Sequence, residues 1–429
     1  MHKIAWLALV LLLVLAGCGK PDVAASDVTE VVFWQAMGGP LGDALAELVE
    51  DFNNTHPHIR VNSINMGNYT ALSQKLMASI QTGNQPAVAQ SFEAWTSNMM
   101  KGNVIVPVEE LIAQDSTFGA ADLDDFFPVF IKSNTIDGKL VSFPFNKSVR
   151  VQYYNKDMFF QNDLDPNKPP KTWDEFRKVC RTLTKDFDGD GIPDQYGTVL
   201  RISAWQFENL LLQAGGEIMD STNTKPLFNS AAGIEALNFM TAQLNEDKSS
   251  YLSTGYDGQK DFSASKVALY EDSSVSLAYM LLNDIDFPIG ISAIPTYKTK
   301  RSIISGTNVV VFRKDDEAVQ RAAWEFVKWF TEPAQTAKWS ELTYYMPVRR
   351  SAFEQPALKE RLENNPEIKS VYDQLEFATY EPQISEWYET RKYLEEQVIE
   401  KVIRGVVSPE KALNNAAVKI AKMIEKSDK

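Results

Sequence analysis

The densest potential chemistry in this sequence is the run Asp186-Phe187-Asp188-Gly189-Asp190-Gly191-Ile192-Pro193-Asp194. Carboxylates at its first, third and fifth positions, a glycine at the sixth, the carbonyl of Ile192 at the seventh and an acid at the ninth make the oxygen shell of a hard cation. The spacing points to a structural Ca²⁺ held by Asp186, Asp188, Asp190, Ile192 and Asp194. At the twelfth position, where a bidentate glutamate closes such loops, stands Gly197. A later acid must complete the shell, or the run is simply an acidic Asp-Gly turn.

Provision for catalysis is poor. Of 3 histidines, His56 and His58 flank Pro57 in a turn and His2 lies among the first residues. Neither a Gly-x-Ser-x-Gly elbow nor a His-Glu-x-x-His helix occurs, so histidine-based hydrolysis has no carrier. A carboxylate pair cannot be located from one sequence. A secreted glycosidase therefore stays as a remote alternative to a binding function, and the chain is expected not to be an enzyme.

The elements that must position any site read as α/β. Val31-Val32-Phe33-Trp34 is a strand, and Leu41, Leu45, Leu48, Val49 and Phe52 recur at helical spacing after Pro40. Ile59 to Ile64 is the next strand and closes a βαβ unit. A second helix carries Leu72, Leu76, Met77 and Ile80 and ends at Gly83, before a strand around Ala87 to Phe92. In open parallel sheets ligands sit beyond the carboxyl ends of strands. Those ends, at Trp34 to Met37, Asn65 to Tyr69 and Phe92 to Trp95, are rich in polar and aromatic side chains.

Farther on, Asp137-Gly138 signals a tight hairpin, and the chain changes domain near Phe143. Thr172 with Glu175 makes a capping box for a helix from Trp173. Ile303 to Phe312 reads as a buried strand, and the chain is almost wholly helical from about Pro356. Trp324, Trp329 and Trp339 read as packing residues.

The first residues carry an address. His2 and Lys3 lead into the apolar run Ile4 to Leu15, closed by Leu15-Ala16-Gly17-Cys18. Such a run is too short for a membrane span, which needs about 20 apolar residues, and fits a signal peptide over 1–17. Its end resembles a bacterial lipobox, which implies lipidation of Cys18 and a tether over 18–29. The expected location is extracytoplasmic, lipid-anchored to a bacterial membrane, in a periplasm or at a cell surface. Cys180 is the other of 2 cysteines, so no internal disulfide is expected once Cys18 carries lipid. A net charge of −14 argues against nucleic acid as a partner, and the anchor alone should meet the membrane.

Several blocks together resemble one family: Phe33-Trp34, Gly67-Asn68-Tyr69, Thr82-Gly83-Asn84, Pro144-Phe145-Asn146, Tyr153-Tyr154-Asn155-Lys156-Asp157 and Pro169-Pro170-Lys171-Thr172-Trp173. They look like the extracellular solute-binding proteins of carbohydrate-uptake ABC importers, over Val31 to Ile424, with the opening blocks nearest the members that bind glycerol 3-phosphate. The resemblance implies an α/β, two-lobed, type II periplasmic-binding-protein fold with a hinge and a helical C-terminal part. It places 30–143 and 300–345 in lobe I, and 144–299 and 346–429 in lobe II. It implies a monomer that captures a polyol phosphate, glycerophosphodiester or sugar and delivers it to ABC permease subunits, with no cofactor for chemistry.

Carried over position by position, the ligand-binding residues are Trp34, Tyr69, Glu93, Ser148, Trp205, Ser274, Gly306, Tyr345 and Arg391, with Lys392 the alternative at the last place. The chain departs from the family pattern at Gln35, Lys147, Thr307, Asn308 and Tyr344. An aromatic floor, a carboxylate and an arginine would suit a polyol phosphate; oligosaccharide binders on the same scaffold also use Trp, Tyr and Glu.

Overall fold

The computed structural model describes residues 28–427; the expected signal peptide, Cys18 and nearly all of the tether lie outside them. Two separate sheets organise the chain. The first has the strand order Ile59–Asn65, Thr29–Gln35, Val88–Ser91, Ser305–Phe312, Ile105–Val106, with Phe143–Ser148 also paired to Ser305–Phe312. The second runs Ile289–Ala293, Arg150–Asn155, Val267–Ser273, Tyr196–Thr198. The chain passes from one sheet to the other at Val149, which is fully buried.

The βαβ unit forms as its periodicity dictates. Thr29–Gln35 and Ile59–Asn65 pair in parallel, from Thr29 opposite Ile59 to Gln35 opposite Asn65. Between them the helix Gly39–Thr55 starts on Pro40, whose fixed φ suits a first turn, and buries Leu41, Ala44, Leu45, Leu48, Val49 and Phe52. Each of these leucines, Val49 and Phe52 contributes about 1.5–3 kcal/mol on leaving water. Phe52 meets Phe326 and Trp329 of the helix Glu317–Phe330 edge to face, so the far C-terminal strand and helix complete this lobe. Trp324, Trp329 and Trp339 are all buried in the core.

Local capping sets the next helix. Asn68 accepts the Ala71 N–H at 2.9 Å and starts Tyr69–Thr82; Gly83, at φ 72°, ends it. The helix Glu93–Lys101 then begins where the strand Val88–Ser91 stops, which puts Glu93 at a strand's carboxyl end. Asp137 and Gly138 both have positive φ, as a tight hairpin between Thr135–Ile136 and Lys139–Leu140 requires.

In the second lobe Thr172 accepts the Glu175 N–H at 3.2 Å while Glu175 accepts the N–H groups of Lys171 and Thr172. Thr172→Ala is expected to lower stability by about 1 kcal/mol. The check is a denaturant midpoint that falls while the slope stays fixed. The helices Ala204–Gln213, Ala231–Asn245 and Pro409–Ser427 pack into one apolar cluster around Phe207, Leu237, Leu413 and Ile420. No helix among the described residues is long and apolar enough to cross a membrane.

Candidate functional site

The strand Phe143–Ser148 carries the polar centre of the molecule. Asn146, fully buried, donates to the hydroxyl of Tyr345 at 2.8 Å and of Tyr69 at 3.3 Å, and its carbonyl oxygen receives Gln90 Nε2 and the Thr307 hydroxyl. Burial pushes both tyrosine hydroxyls up from their ordinary pKa, so they remain neutral donors. The next residue, Lys147, is also fully buried and donates from Nζ to Glu93 Oε1 at 3.0 Å. Asn308 Nδ2 reaches the same oxygen at 3.0 Å.

Gly306 makes this approach possible. It sits at φ 106° opposite Lys147, and a Cβ there would stand 1.8 Å from the Asn146 carbonyl oxygen. Ser148 is buried opposite Ser305. Ser274 donates its N–H to the Val149 carbonyl at 2.9 Å, and its buried hydroxyl has no partner among the described residues.

Arg150, two residues past Ser148, stands over the Trp205 ring at 5.5 Å and donates to the Glu271 carbonyl. Trp205 is buried and its indole N–H donates to the Ile303 carbonyl at 2.9 Å. The resemblance implies a ligand contact at Trp205; the structure covers one face of the ring with a guanidinium.

Arg391 lies 3.1 Å from Glu381 Oε1 and shares with Phe92, Glu93 and Tyr388 the wall of a cavity of about 20 Å³. Lys392 is exposed and leans towards Glu396, so the pocket receives the arginine. Burial alone would lower the guanidinium's pKa, but Glu381, Glu208 and Glu395 hold it up. Trp34 stands apart. It packs, half-buried, against the cluster around Leu72, Leu76 and Trp95, and no hydrogen bond or ring contact ties it to the others among the described residues.

Four cations surround the centre and each has a carboxylate: Lys147 with Glu93, Arg150 with Glu271, Arg201 with Asp272 and Arg391 with Glu381. Glu395 adds a carboxylate without an ion pair of its own among the described residues and accepts the Ala204 N–H at 2.9 Å, while burial pushes the Glu208 carboxyl towards its neutral form. Acid is therefore in excess.

The lobes touch. The Tyr279 hydroxyl donates to the Gly38 carbonyl at 3.1 Å, and the Tyr388 ring lies 6.4 Å from Phe92. The cavity beside Arg391 holds no more than a water-sized group, so a solute could enter there only if the lobes part.

Sequence reasoning missed Asn146, Arg150, Glu208 and Glu381 as parts of the centre. It registered Lys147, Asn308 and Tyr344 only as departures. Tyr344 ends the helix Pro333–Thr343 in the left-handed region at φ 61°, which costs an ordinary residue about 1–2 kcal/mol. Its ring offsets part of this by packing under the Arg361 guanidinium at 4.7 Å.

In the acidic loop, Asp186, Asp188 and Asp194 bring carboxylate oxygens within 4.8 Å of one another, all exposed. Asp186 accepts the Gly189 and Gly191 N–H groups, Asp194 that of Phe187 and Asp190 that of Ile192. Asp190 is not part of the converging group, and the donors that converge are hard oxygens.

Two lobes with a polar centre between their sheets define a ligand-capturing protein of the two-lobed binding class. The chain belongs to the bacterial extracellular solute-binding protein family, whose model matches residues 47–369. It is an extracellular solute-binding protein of the ABC-importer type. It is 29% identical over 361 residues to the sn-glycerol-3-phosphate-binding periplasmic protein UgpB of Yersinia pseudotuberculosis, covering 80% of this chain and 79% of that one. With the UgpB of Escherichia coli K12 the identity is 26% over 420 residues, 94% of each chain. Among solved structures it resembles the cyclic alpha-maltosyl-1,6-maltose binding protein of Arthrobacter globiformis, at TM-score 0.78 and 25% identity, over 93% of this chain and 100% of that one. UgpB of Mycobacterium tuberculosis with glycerophosphocholine superposes at TM-score 0.80 and 22% identity, over 93% and 99%.

Proposed function

We propose that this chain captures a small, hydroxyl-rich solute and hands it to an ABC permease, and that a glycerophosphodiester suits its site better than glycerol 3-phosphate itself. The charge balance carries the choice. Every cation at the centre is already paired among the described residues, and Glu395 leaves acid in excess. A phosphomonoester carrying nearly two negative charges would meet that excess directly. A diester carries one, which Arg391 can face, and a cationic headgroup on it would meet the Glu395 carboxylate and the tyrosine and tryptophan rings. The UgpB relatives support the glycerophospho class, for which the resemblance implies contacts from Tyr69, Glu93, Ser148, Ser274, Gly306, Tyr345 and Arg391.

A neutral sugar or short oligosaccharide is the second reading. The aromatic and carboxylate lining favours it, as does the likeness to a maltosyl-maltose binder. Calorimetric titration of residues from about Ala25 onward with glycerophosphocholine, glycerol 3-phosphate, maltose and trehalose separates the two. Under the first reading glycerophosphocholine binds tightest, and Arg391→Lys, which keeps the charge but loses the planar fork, weakens it about tenfold. A sugar that binds equally well in both proteins would establish the second reading.

The reading includes a monomer anchored by lipid on Cys18, for which the check is the mass of the mature N-terminus. It includes no catalytic role, and turnover of any sugar or phosphate ester abolished by loss of Glu93 would contradict it. It also includes Ca²⁺ on the acidic loop, bound through Asp186, Asp188 and Asp194 as a pin between the helix Trp173–Leu183 and the strand Tyr196–Thr198. At a hundredfold excess over the dissociation constant the ion would add about 2.7 kcal/mol. Melting is expected to rise with Ca²⁺ over EGTA, and Asp188→Ala to remove the difference.

A further inference from the structure

We infer that Lys147 and Asn308, together with Glu93, form a subsite that reads two adjacent hydroxyl groups of the solute, an inference that rests on the solute-capturing reading above. These two residues are departures from the family pattern that lie far apart in sequence, yet both reach one oxygen. Lys147 Nζ and Asn308 Nδ2 each stand 3.0 Å from Glu93 Oε1.

Counting donors and acceptors shows what is left over. An ammonium has three N–H groups, and the Lys147 side chain is 0% exposed, yet Glu93 is its sole acceptor among the described residues. Asn308 Oδ1 is buried and has no donor among the described residues. Glu93 Oε2 receives no hydrogen bond from the described residues, while Glu93 itself lines the cavity beside Arg391. Buried polar groups without partners are costly. Here they cluster around one carboxylate at a strand's carboxyl end, where ligands of α/β sheets sit.

The leftover set specifies its complement. Two ammonium hydrogens require an acceptor, and Asn308 Oδ1 and Glu93 Oε2 require donors. A phosphate or carboxylate oxygen could satisfy the lysine but would leave both acceptors empty. One hydroxyl can accept from Lys147 and donate to Asn308, and its neighbour can donate to Glu93 Oε2. A vicinal diol, as in a glycerol ester or a pyranose ring, supplies both. The ion pair then keeps Glu93 fixed without consuming its outer oxygen. Gly306, lying opposite Lys147 in the strand register, lets the backbone come close enough to hold the lysine inward.

The test is calorimetry on wild type, Lys147→Met and Asn308→Ala with glycerophosphocholine, maltose and phosphocholine, the last of which lacks a diol. Wild type is expected to bind a diol-bearing probe and to bind phosphocholine at least tenfold more weakly. Lys147→Met should weaken the diol-bearing probe about tenfold or more, as loss of a charged hydrogen bond does. Asn308→Ala keeps the ion pair, so it reports even if Lys147→Met does not fold, and should weaken the same probe severalfold. Unchanged affinity in Asn308→Ala, or equal binding of phosphocholine, would overturn the subsite while leaving the solute-binding reading in place. If wild type bound neither diol, that reading and the subsite would fall together.

Discussion

Gly306→Ala is expected to cost about 3 kcal/mol or more and to abolish solute binding. Two effects add at this position. The backbone is in the left-handed half of the map at φ 106°, and the new methyl would lie 1.8 Å from the Asn146 carbonyl oxygen, a distance that no rotamer relieves. The strand Phe143–Ser148 would have to retreat from Ser305–Phe312, carrying Asn146 away from Tyr69 and Tyr345, and Lys147 away from Glu93. Gly67 provides the control. Its φ is 100° but nothing lies within 4 Å of its Cβ position, so Gly67→Ala should show the backbone cost alone, about 1–2 kcal/mol. Denaturant unfolding of both variants checks the difference. Equal losses would mean that the close approach of the two strands is not what Gly306 secures.

What the sequence makes legible follows from periodicity. The unit from Val31 to Ile64 is readable because its strands and its 3.6-residue stripe each bury one continuous face, and the capping box at Thr172 is readable because the bond it makes is local. The centre is only half legible. Tyr69 and Glu93 are placed by strand ends, a rule that needs no tertiary knowledge. Lys147 cannot be seen as buried, because a lysine in a strand is ordinarily a solvent residue and its burial depends on Glu93, Asn308 and Gly306, all distant in sequence. Glu208 is equally hidden. It sits in Ala204–Gln213, a helix buried along its whole length, so no polar face marks the acid as unusual. Glu381 falls in a stretch that the pattern assigns to helix, whereas a short strand, Ala378–Thr379, and an irregular turn deliver it to Arg391. The indole of Trp205 looks like a platform until Arg150, whose burial the sequence also conceals, is seen above it.

Arg391→Ala is expected to destabilise the protein by about 3 kcal/mol near neutral pH, and by progressively less as the pH is lowered towards 4. The guanidinium is the cation that faces Glu381 and Glu208, with Glu395 close by; Glu93, across the interlobe cavity, adds to the negative field at Glu381. Burial first pushes both carboxyls above their ordinary range, helped at Glu208 by the charge of Glu381 and at Glu381 by that of Glu93, while Arg391 pulls both down. Glu208 has both oxygens buried without a donor among the described residues. A carboxyl raised on folding holds a proton that the unfolded chain releases near about pH 4.3. Its contribution is therefore full below that pH and is lost as the pH rises through the folded value. Removing Arg391 raises both groups further and steepens the loss on the alkaline side, while in acid, where both are protonated in either state, the arginine matters least. Glu208→Gln, which keeps the shape and never ionises, should do the reverse. It should match wild type near pH 4.5 and gain on it with rising pH, by at most about 1.4 kcal/mol per unit. Unfolding curves for the three proteins between pH 4.5 and 8 decide it: parallel profiles would show that Arg391 contributes packing alone, whereas profiles that diverge with pH would establish it as the counter-ion of a buried acid pair, held ready beside the cleft.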